Sequence, residues 1–328
     1  MNTACIARIV IPVMLACSLG KGAENEPATE LYETARMASI EVLVDGHLSG
    51  SGWIADSEGV VLTACHVVGD AEKKHLLVEI RSTIAGRLDA KIEALDAAHD
   101  LARLRVPKRD GGYPSLRLAE KVPVAGTTTF FFGVAHYRHA LLFRGSVASN
   151  RTIFEFEYGN NEYAEVAMVN AVSMEQNSGG PWLNLDGEVI GLNSASLKDN
   201  RNASAITFII PVDALRDLMK TKTLEKTPTI GAEVFELSGE SSDFIHRFPL
   251  RTEGVFINRL NPDSPLIQAG IKEKEVIVAV DRESVRSVDE LIGYVRRKKV
   301  RDEVELTILD AGVSTPRKVK VQLAEVTN

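Results

Sequence analysis

The chain has 328 residues, 45% apolar and 25% charged, an ordinary globular composition with length enough for two domains. Its net charge of -7, from 45 acidic and 38 basic side chains, supplies no basic field for a phosphate backbone, so nucleic acid is not expected as a partner.

Residues 1–22 place Arg8 ahead of an apolar run, Ile9 to Ala16, that is too short to cross a bilayer and is followed by small residues. The pattern reads as an export signal. Pro12 within the run and Gly20-Lys21-Gly22 after it argue against a buried N-terminal helix. Two processing outcomes fit: plain cleavage near Ser18 or Gly20, or a lipoprotein-type site in Met14-Leu15-Ala16-Cys17 that leaves Cys17 as a lipidated first residue. Either puts the mature chain in the periplasm, on a membrane or outside the cell. Cys5 and Cys17 fall in this segment, so Cys65 is left without an intramolecular disulfide partner.

From Ile40 onward, short β-branched or alternating runs are separated by turn residues, among them "SIEVLVDG", "GWIADSEGVVLTA", "LARLRVP", "TTTFFFG", "IFEFEYG", "EVIGLNSA" and "SAITFIIP". Many short strands at near-regular spacing predict antiparallel sheets closed into barrels or sandwiches. "PVDALRDLMKTK" then predicts one helix, with Pro211 suited to its start and Leu215, Leu218 and Met219 at helical spacing. This first unit is placed at 31–220. Thr221 to Thr229 is polar and threonine-rich and reads as a linker. Residues 230–325 hold further strand-like runs and two helical candidates, a small α+β module. "SPLIQAG" ends at Gly270, a suitable left-handed cap, and "SVDELIGYVRRKK" opens with Ser287 and Glu290 at capping-box spacing.

Hydrolysis through a serine needs a base, a carboxylate to orient it, and donors for the developing oxyanion. "VVLTACHVVGD" places His66 just past a strand, in a turn context. "DAAHDLARLRV" places Asp100 at a strand entry, with Asp96 competing for the same role and His99 read as a surface neighbour. "NSGGPWL" places Ser178 where two glycines permit a sharp turn. Each alone has a plain structural reading. Their conjunction at strand edges of one β domain points to nucleophilic catalysis.

"LTACHVV", "DLARLRV" and "NSGGPWLNLDGEVIGLNS" resemble the triad segments of chymotrypsin-fold serine proteases, specifically the HtrA (Deg) group, in which a protease domain precedes one or two PDZ domains. The resemblance implies an all-β protease domain of two six-stranded antiparallel barrels. It also implies His66 as general base, Asp100 as its orienting carboxylate, Ser178 as nucleophile, and the backbone N–H groups of Gln176 and Ser178 as oxyanion donors. The family commonly has glycine where this chain has Gln176. If the active geometry needs positive φ there, glutamine costs about 1–2 kcal/mol and the hole is expected to be strained or ligand-dependent. The Asp45 to Ser49 stretch is short, so the long regulatory loop of some relatives is absent from it. "AHYRHALL", Ala135 to Leu142, replaces the family's usual turn. Its His136 and His139 lack a third ligand nearby, so a solvated loop is the reading and neither metal nor cofactor is expected. The segments just before Ser178 and from Leu192 to Ser196 carry small and apolar residues, which by resemblance suggests cleavage after small or medium aliphatic residues.

"PTIGAEVFEL", "NPDSPLIQAGI" and "EVIVAVDRESV" resemble a PDZ domain of the permuted bacterial type. By that resemblance Thr229, Ile230, Gly231 and Ala232 form the loop that holds a peptide carboxylate, and the helix around Leu291 and Val295 walls the groove. A module that only packs or assembles is the alternative. The chain as a whole reads as an exported serine endopeptidase acting on unfolded or misfolded protein. The competing reading is a proteolytically weak chaperone or peptide-binding protein on the same fold. Family members commonly form trimers through the N-terminal region, a role open to "ELYETARMASI" with Tyr32.

Overall fold

A computed structural model describes residues 27–157, 159–199, 202–220 and 226–327. The expected signal segment and Cys17 lie outside the described residues, as do residues 221–225 of the expected linker.

The chain opens with helix α1 (Pro27–Ala38), whose Leu31, Ala35 and Ala38 are buried while Tyr32 meets the ring of Phe132 edge-on at 5.4 Å. The spacing of those apolar residues gives the helix one inward stripe. In the described chain Tyr32 therefore packs on its own domain.

Strands β1 (Ser39–Val44), β2 (His47–Ile54) and β3 (Val60–Thr63) lead into helix α2 (Cys65–Lys74). Strands β4 (Val78–Ser82), β5 (Gly86–Asp89), β6 (Lys91–Asp96) and β7 (Leu101–Arg105) complete a sheet of order β5-β4-β1-β2-β3-β7-β6. The expected six-stranded first barrel is thus a seven-stranded sheet. The physical reason is local: only Ala90 separates β5 from β6, and those two strands hold the opposite ends of the sheet. One bent stretch of chain pairs with β4 before Ala90 and with β7 after it, so the ring is joined through covalent chain rather than through a ladder between β5 and β6.

Strands β8 (Thr128–Ala135), β9 (Arg138–Glu157), β10 (Glu162–Asn170), β11 (Pro181–Leu183), β12 (Val189–Asp199) and β13 (Asn202–Pro211) form a closed barrel of order β10-β13-β12-β11-β8-β9. Phe131, Trp182, Ile190 and Ile209 fill it, with the first two rings 5.5 Å apart. Helix α3 (Val212–Lys220) follows Pro211 and buries Val212, Leu215 and Leu218.

Strand β14 (Pro228–Thr229) takes the last two residues of the expected linker and pairs with the final strand, which ties the second unit's two ends together. Strand β15 (Ala232–Glu236), helix α4 (Ser242–Ile245), strand β16 (Val255–Leu260), helix α5 (Pro265–Gln268), strands β17 (Val276–Val280) and β18 (Glu283–Ser284), helix α6 (Val288–Arg296) and strands β19 (Glu303–Leu309), β20 (Arg317–Gln322) and β21 (Ala324–Glu325) complete the chain. The sheet runs β15-β16-β17-β19-β20 with β18 on β17. Gly270 follows α5 at φ +75, as a left-handed cap should. At α6 the Ser287 hydroxyl accepts the Glu290 N–H at 3.2 Å, but the Glu290 carboxylate takes the N–H of Arg286 instead of Ser287's own. The box closes one residue early.

Candidate active site

His66 lies in the first turn of α2 rather than in the expected open turn, because the helix starts at Cys65, two residues after β3 ends. Asp100 sits between β6 and β7 at φ +52 and is fully buried. Its main chain and side chain both hold the start of α2. The Asp100 carbonyl accepts the N–H of Cys65 at 3.1 Å and its carboxylate accepts the N–H of His66 at 3.1 Å. The His66 ring nitrogen Nδ1 then lies 2.9 Å from each carboxylate oxygen. Asp96 bonds His99 at 2.8 Å instead, which removes it as a competitor.

Two further donors complete the shell of Asp100. The Ser194 hydroxyl donates at 2.6 Å and the Asn160 side-chain amide at 2.9 Å. Burial alone would raise the Asp100 carboxyl, but the charge and hydrogen bond of His66, with Ser194, outweigh it and hold the group below its ordinary range. Burial pulls the His66 imidazole down, while the charge and hydrogen bond of Asp100 and the charge of Glu157 lift it to about 9. Glu157 stands close: one ligand atom from each of His66, Asp100 and Glu157 lies within 4.8 Å of the others. That three-residue group could offer a cation three ligands, but both Asp100 oxygens already take N–H and O–H donors. His136 and His139 do not converge; they face Glu175 at 3.8 Å and Glu41 at 2.5 Å respectively.

Ser178 stands between two left-handed residues, Gln176 at φ +66 and Gly179 at φ +85. A Cβ at Gly179 would meet Thr63 Oγ1 at 2.2 Å and the Ser51 carbonyl at 2.3 Å, so only glycine fits. Strand β2 runs beneath this turn. The Ser51 N–H donates to the Ser178 carbonyl at 2.8 Å, and Gly50 allows that approach, since a Cβ there would lie 2.8 Å from the same oxygen. The Ser178 hydroxyl donates to the Ser194 carbonyl at 3.1 Å. Among the described residues no hydrogen bond joins it to His66. The structure therefore brings His66 and Asp100 into direct contact and links Ser178 to them through Ser194.

The expected oxyanion donors are free of protein acceptors: neither the Gln176 N–H nor the Ser178 N–H makes a hydrogen bond among the described residues. Neighbouring peptides are pinned. The Glu175 carbonyl accepts the His136 N–H at 3.3 Å, which turns the trans-related Gln176 N–H the opposite way. The Gln176 carbonyl accepts the Ser51 hydroxyl at 2.8 Å, and that hydroxyl accepts the Val134 N–H at 3.1 Å. Gln176 adopts the left-handed conformation despite its Cβ, and these bonds offset the cost.

A sequence profile described as "Trypsin-like peptidase domain" matches residues 50–192, and one described as "PDZ domain" matches residues 228–323. "Serine protease HTRA1" of Xenopus laevis is 28% identical over 263 residues, covering 76% of this chain and 55% of its own length. The chain is similar to HtrA-type serine proteases across both matched domains. "Probable periplasmic serine endoprotease DegP-like" of Halomonas elongata is 28% identical over 271 residues, covering 80% of this chain and 54% of its own. The chain thus spans about half the length of these relatives. Among solved structures, "HtrA-type protease AlgW with decapeptide" shares the fold at TM-score 0.62 and 17% identity, covering 91% of this chain and 98% of that one.

Sequence reasoning missed Ser194, Asn160, Glu157 and Ser51. Ser194 lay in a stretch read as pocket lining, and Glu157 in the strand-like run "IFEFEYG". Only the glycines around Ser51 hinted at a close approach.

Proposed function

We propose that this chain is an exported serine endopeptidase that cleaves unfolded or misfolded protein, with Ser178 attacking the carbonyl, His66 taking its proton and Asp100 orienting the imidazole. The N–H groups of Gln176 and Ser178 receive the oxyanion, and Thr229, Ile230, Gly231 and Ala232 receive the carboxylate of a peptide C-terminus. The observation that carries the reading is the His66–Asp100 pair at 2.9 Å, reached from Ser178 through Ser194. For attack, rotation about the Ser178 Cα–Cβ bond must swing the hydroxyl from the Ser194 carbonyl to the imidazole. Relatives named as serine proteases support the reaction class.

In this reading the mature chain is exported, either periplasmic or held at a membrane by lipid on Cys17, otherwise secreted. The apolar run of residues 9–16 and relatives named as periplasmic support export. Assembly as a homotrimer through the N-terminal region belongs to the same reading.

The test is a fluorophosphonate probe on the full chain beside a casein-digestion assay. Labelling and digestion that both vanish in Ser178→Ala support the enzyme. An unlabelled wild type that still binds denatured casein overturns it in favour of a chaperone on the same fold.

A further inference from the structure

The turn of the β9–β10 hairpin lies directly on His66. A Cβ at Gly159 would stand 2.7 Å from the Cβ of His66 and 2.9 Å from Glu157 Oε2, so glycine at this position lets the Glu157 carboxylate come up beside the imidazole. The N–H groups of Gly159 and Asn160 hold that carboxylate, the second at 2.8 Å on Oε2. Its place is fixed by main chain rather than by a counter-ion. Among the described residues no lysine or arginine pairs with Glu157, and the His66 ring is bound to Asp100 at 2.9 Å.

Glu157 is therefore an acid beside the reacting groups that lacks a cation of its own. Burial and the charge of Asp100 oppose its ionisation, a cost that an added cation would relieve. A metal ion drawing on all three residues would also need Asp100, whose oxygens already take the donors of His66, Ser194 and Asn160. An ammonium or guanidinium group needs Glu157 alone.

The carboxylate can be reached from outside, since Glu157 is partly exposed and the His66 side chain is 20% exposed. Successive side chains of an extended substrate point to opposite sides. On the proposed reading, the residue whose carbonyl Ser178 attacks places its side chain between the Gln176 turn and Leu192 to Ser196. The residue before it then turns the other way, toward His66 and the hairpin.

We propose that Glu157 is a specificity residue that selects substrates carrying lysine or arginine immediately before the residue whose carbonyl is attacked. This deepens the reading of the chain as a serine endopeptidase and rests on it.

The experiment measures how fast the full chain is labelled by a plain fluorophosphonate and by peptidyl diphenyl phosphonates that end in the valine analogue preceded by lysine, alanine or glutamate. The lysine probe is expected to label wild type about tenfold faster than the alanine probe, the scale of one ion pair at a half-buried site, and the glutamate probe more slowly still. Glu157→Gln should bring the lysine and alanine rates together. Comparing probes within each protein removes any effect of the substitution on the imidazole itself. Glu157→Asp, which keeps the charge on a shorter stem, should retain a reduced lysine preference. Equal lysine and alanine rates in wild type would overturn the proposal even if no variant folds, and so would a lysine preference undiminished in Glu157→Gln. Labelling by the plain fluorophosphonate in those cases leaves the serine endopeptidase standing. A wild type that reacts with none of the probes overturns both readings.

Discussion

Ser178 and Ser194 are joined by a 3.1 Å hydrogen bond from the hydroxyl of the first to the carbonyl of the second, and the Ser194 hydroxyl continues the line to Asp100 at 2.6 Å. One residue thus touches both the proposed nucleophile and the buried carboxylate. Ser194→Ala keeps the carbonyl and removes the hydroxyl, leaving one Asp100 oxygen short of a donor in a site without solvent. A lost buried hydrogen bond to a charged group costs about 1.5–3 kcal/mol. The urea midpoint should fall accordingly and peptidase turnover should drop, while Ser178 still labels with fluorophosphonate. Unchanged midpoint and turnover would show that the bond contributes nothing.

The His66 imidazole, lifted to about 9, fixes the sign of the pH dependence. Its folded value lies above its ordinary 6.5, so the stability it contributes is whole below about 6.5 and is lost as pH rises through about 9. Asp100 is depressed, so its contribution is present above its ordinary 3.8 and is lost as pH falls through the lowered value. The pair is therefore most stabilising between those limits. A general base must be neutral, so kcat/KM should climb with pH well above the range of an ordinary histidine. Glu157→Gln removes one of the two carboxylate charges acting on the ring and should move the inflection to lower pH. A pH–rate profile that is identical in the variant would exclude Glu157 from the tuning.

Gln176 at φ +66 carries a cost that glycine would not. Gln176→Gly should therefore leave stability unchanged or raise it by up to about 1 kcal/mol, the freer unfolded chain offsetting part of the gain. Turnover should hold or rise. Ser51→Ala acts the other way, since it removes the hydroxyl that holds the Gln176 carbonyl and receives the Val134 N–H. It should lower kcat with little change in KM, because the oxyanion donors matter most in the transition state. Thermal melts and steady-state kinetics on both variants separate strain from positioning.

Much of this site could be read from residue type and order. Histidine, aspartate and serine at strand edges, with Gly179-Gly180 after the serine, carry local signatures that do not depend on distant contacts. The same holds for Gly270 and Ser287 as helix caps. Ser194 and Asn160 carry no such signature. They join Asp100 only because closure of the second barrel brings β12 and the β9–β10 turn against the first sheet, a fact of long-range packing. The seven-stranded first sheet was hidden for a similar reason: the bend at Ala90 divides one strand into two without a glycine or proline to mark it. The altered residue at 176 was visible in sequence, but its tolerance depended on Ser51, 125 positions away.

The last prediction concerns the hairpin face against α6. Burial and then the charge of Asp289 raise the Glu155 carboxyl to about 7. For an acid lifted above its ordinary 4.5, the contribution to stability is whole below about 4.5 and is lost as pH rises through about 7. Above that, two carboxylates oppose each other beside the Phe154 N–H bond to Asp289, and the hairpin should loosen from the helix. Hydrogen exchange of the β15 amides, followed from pH 6 to pH 8 and corrected for intrinsic rates, should show protection falling across that interval in the wild type. Glu155→Gln should flatten the trend, because its side chain stays neutral throughout. Protection that falls equally in the variant would assign the loosening to some other group.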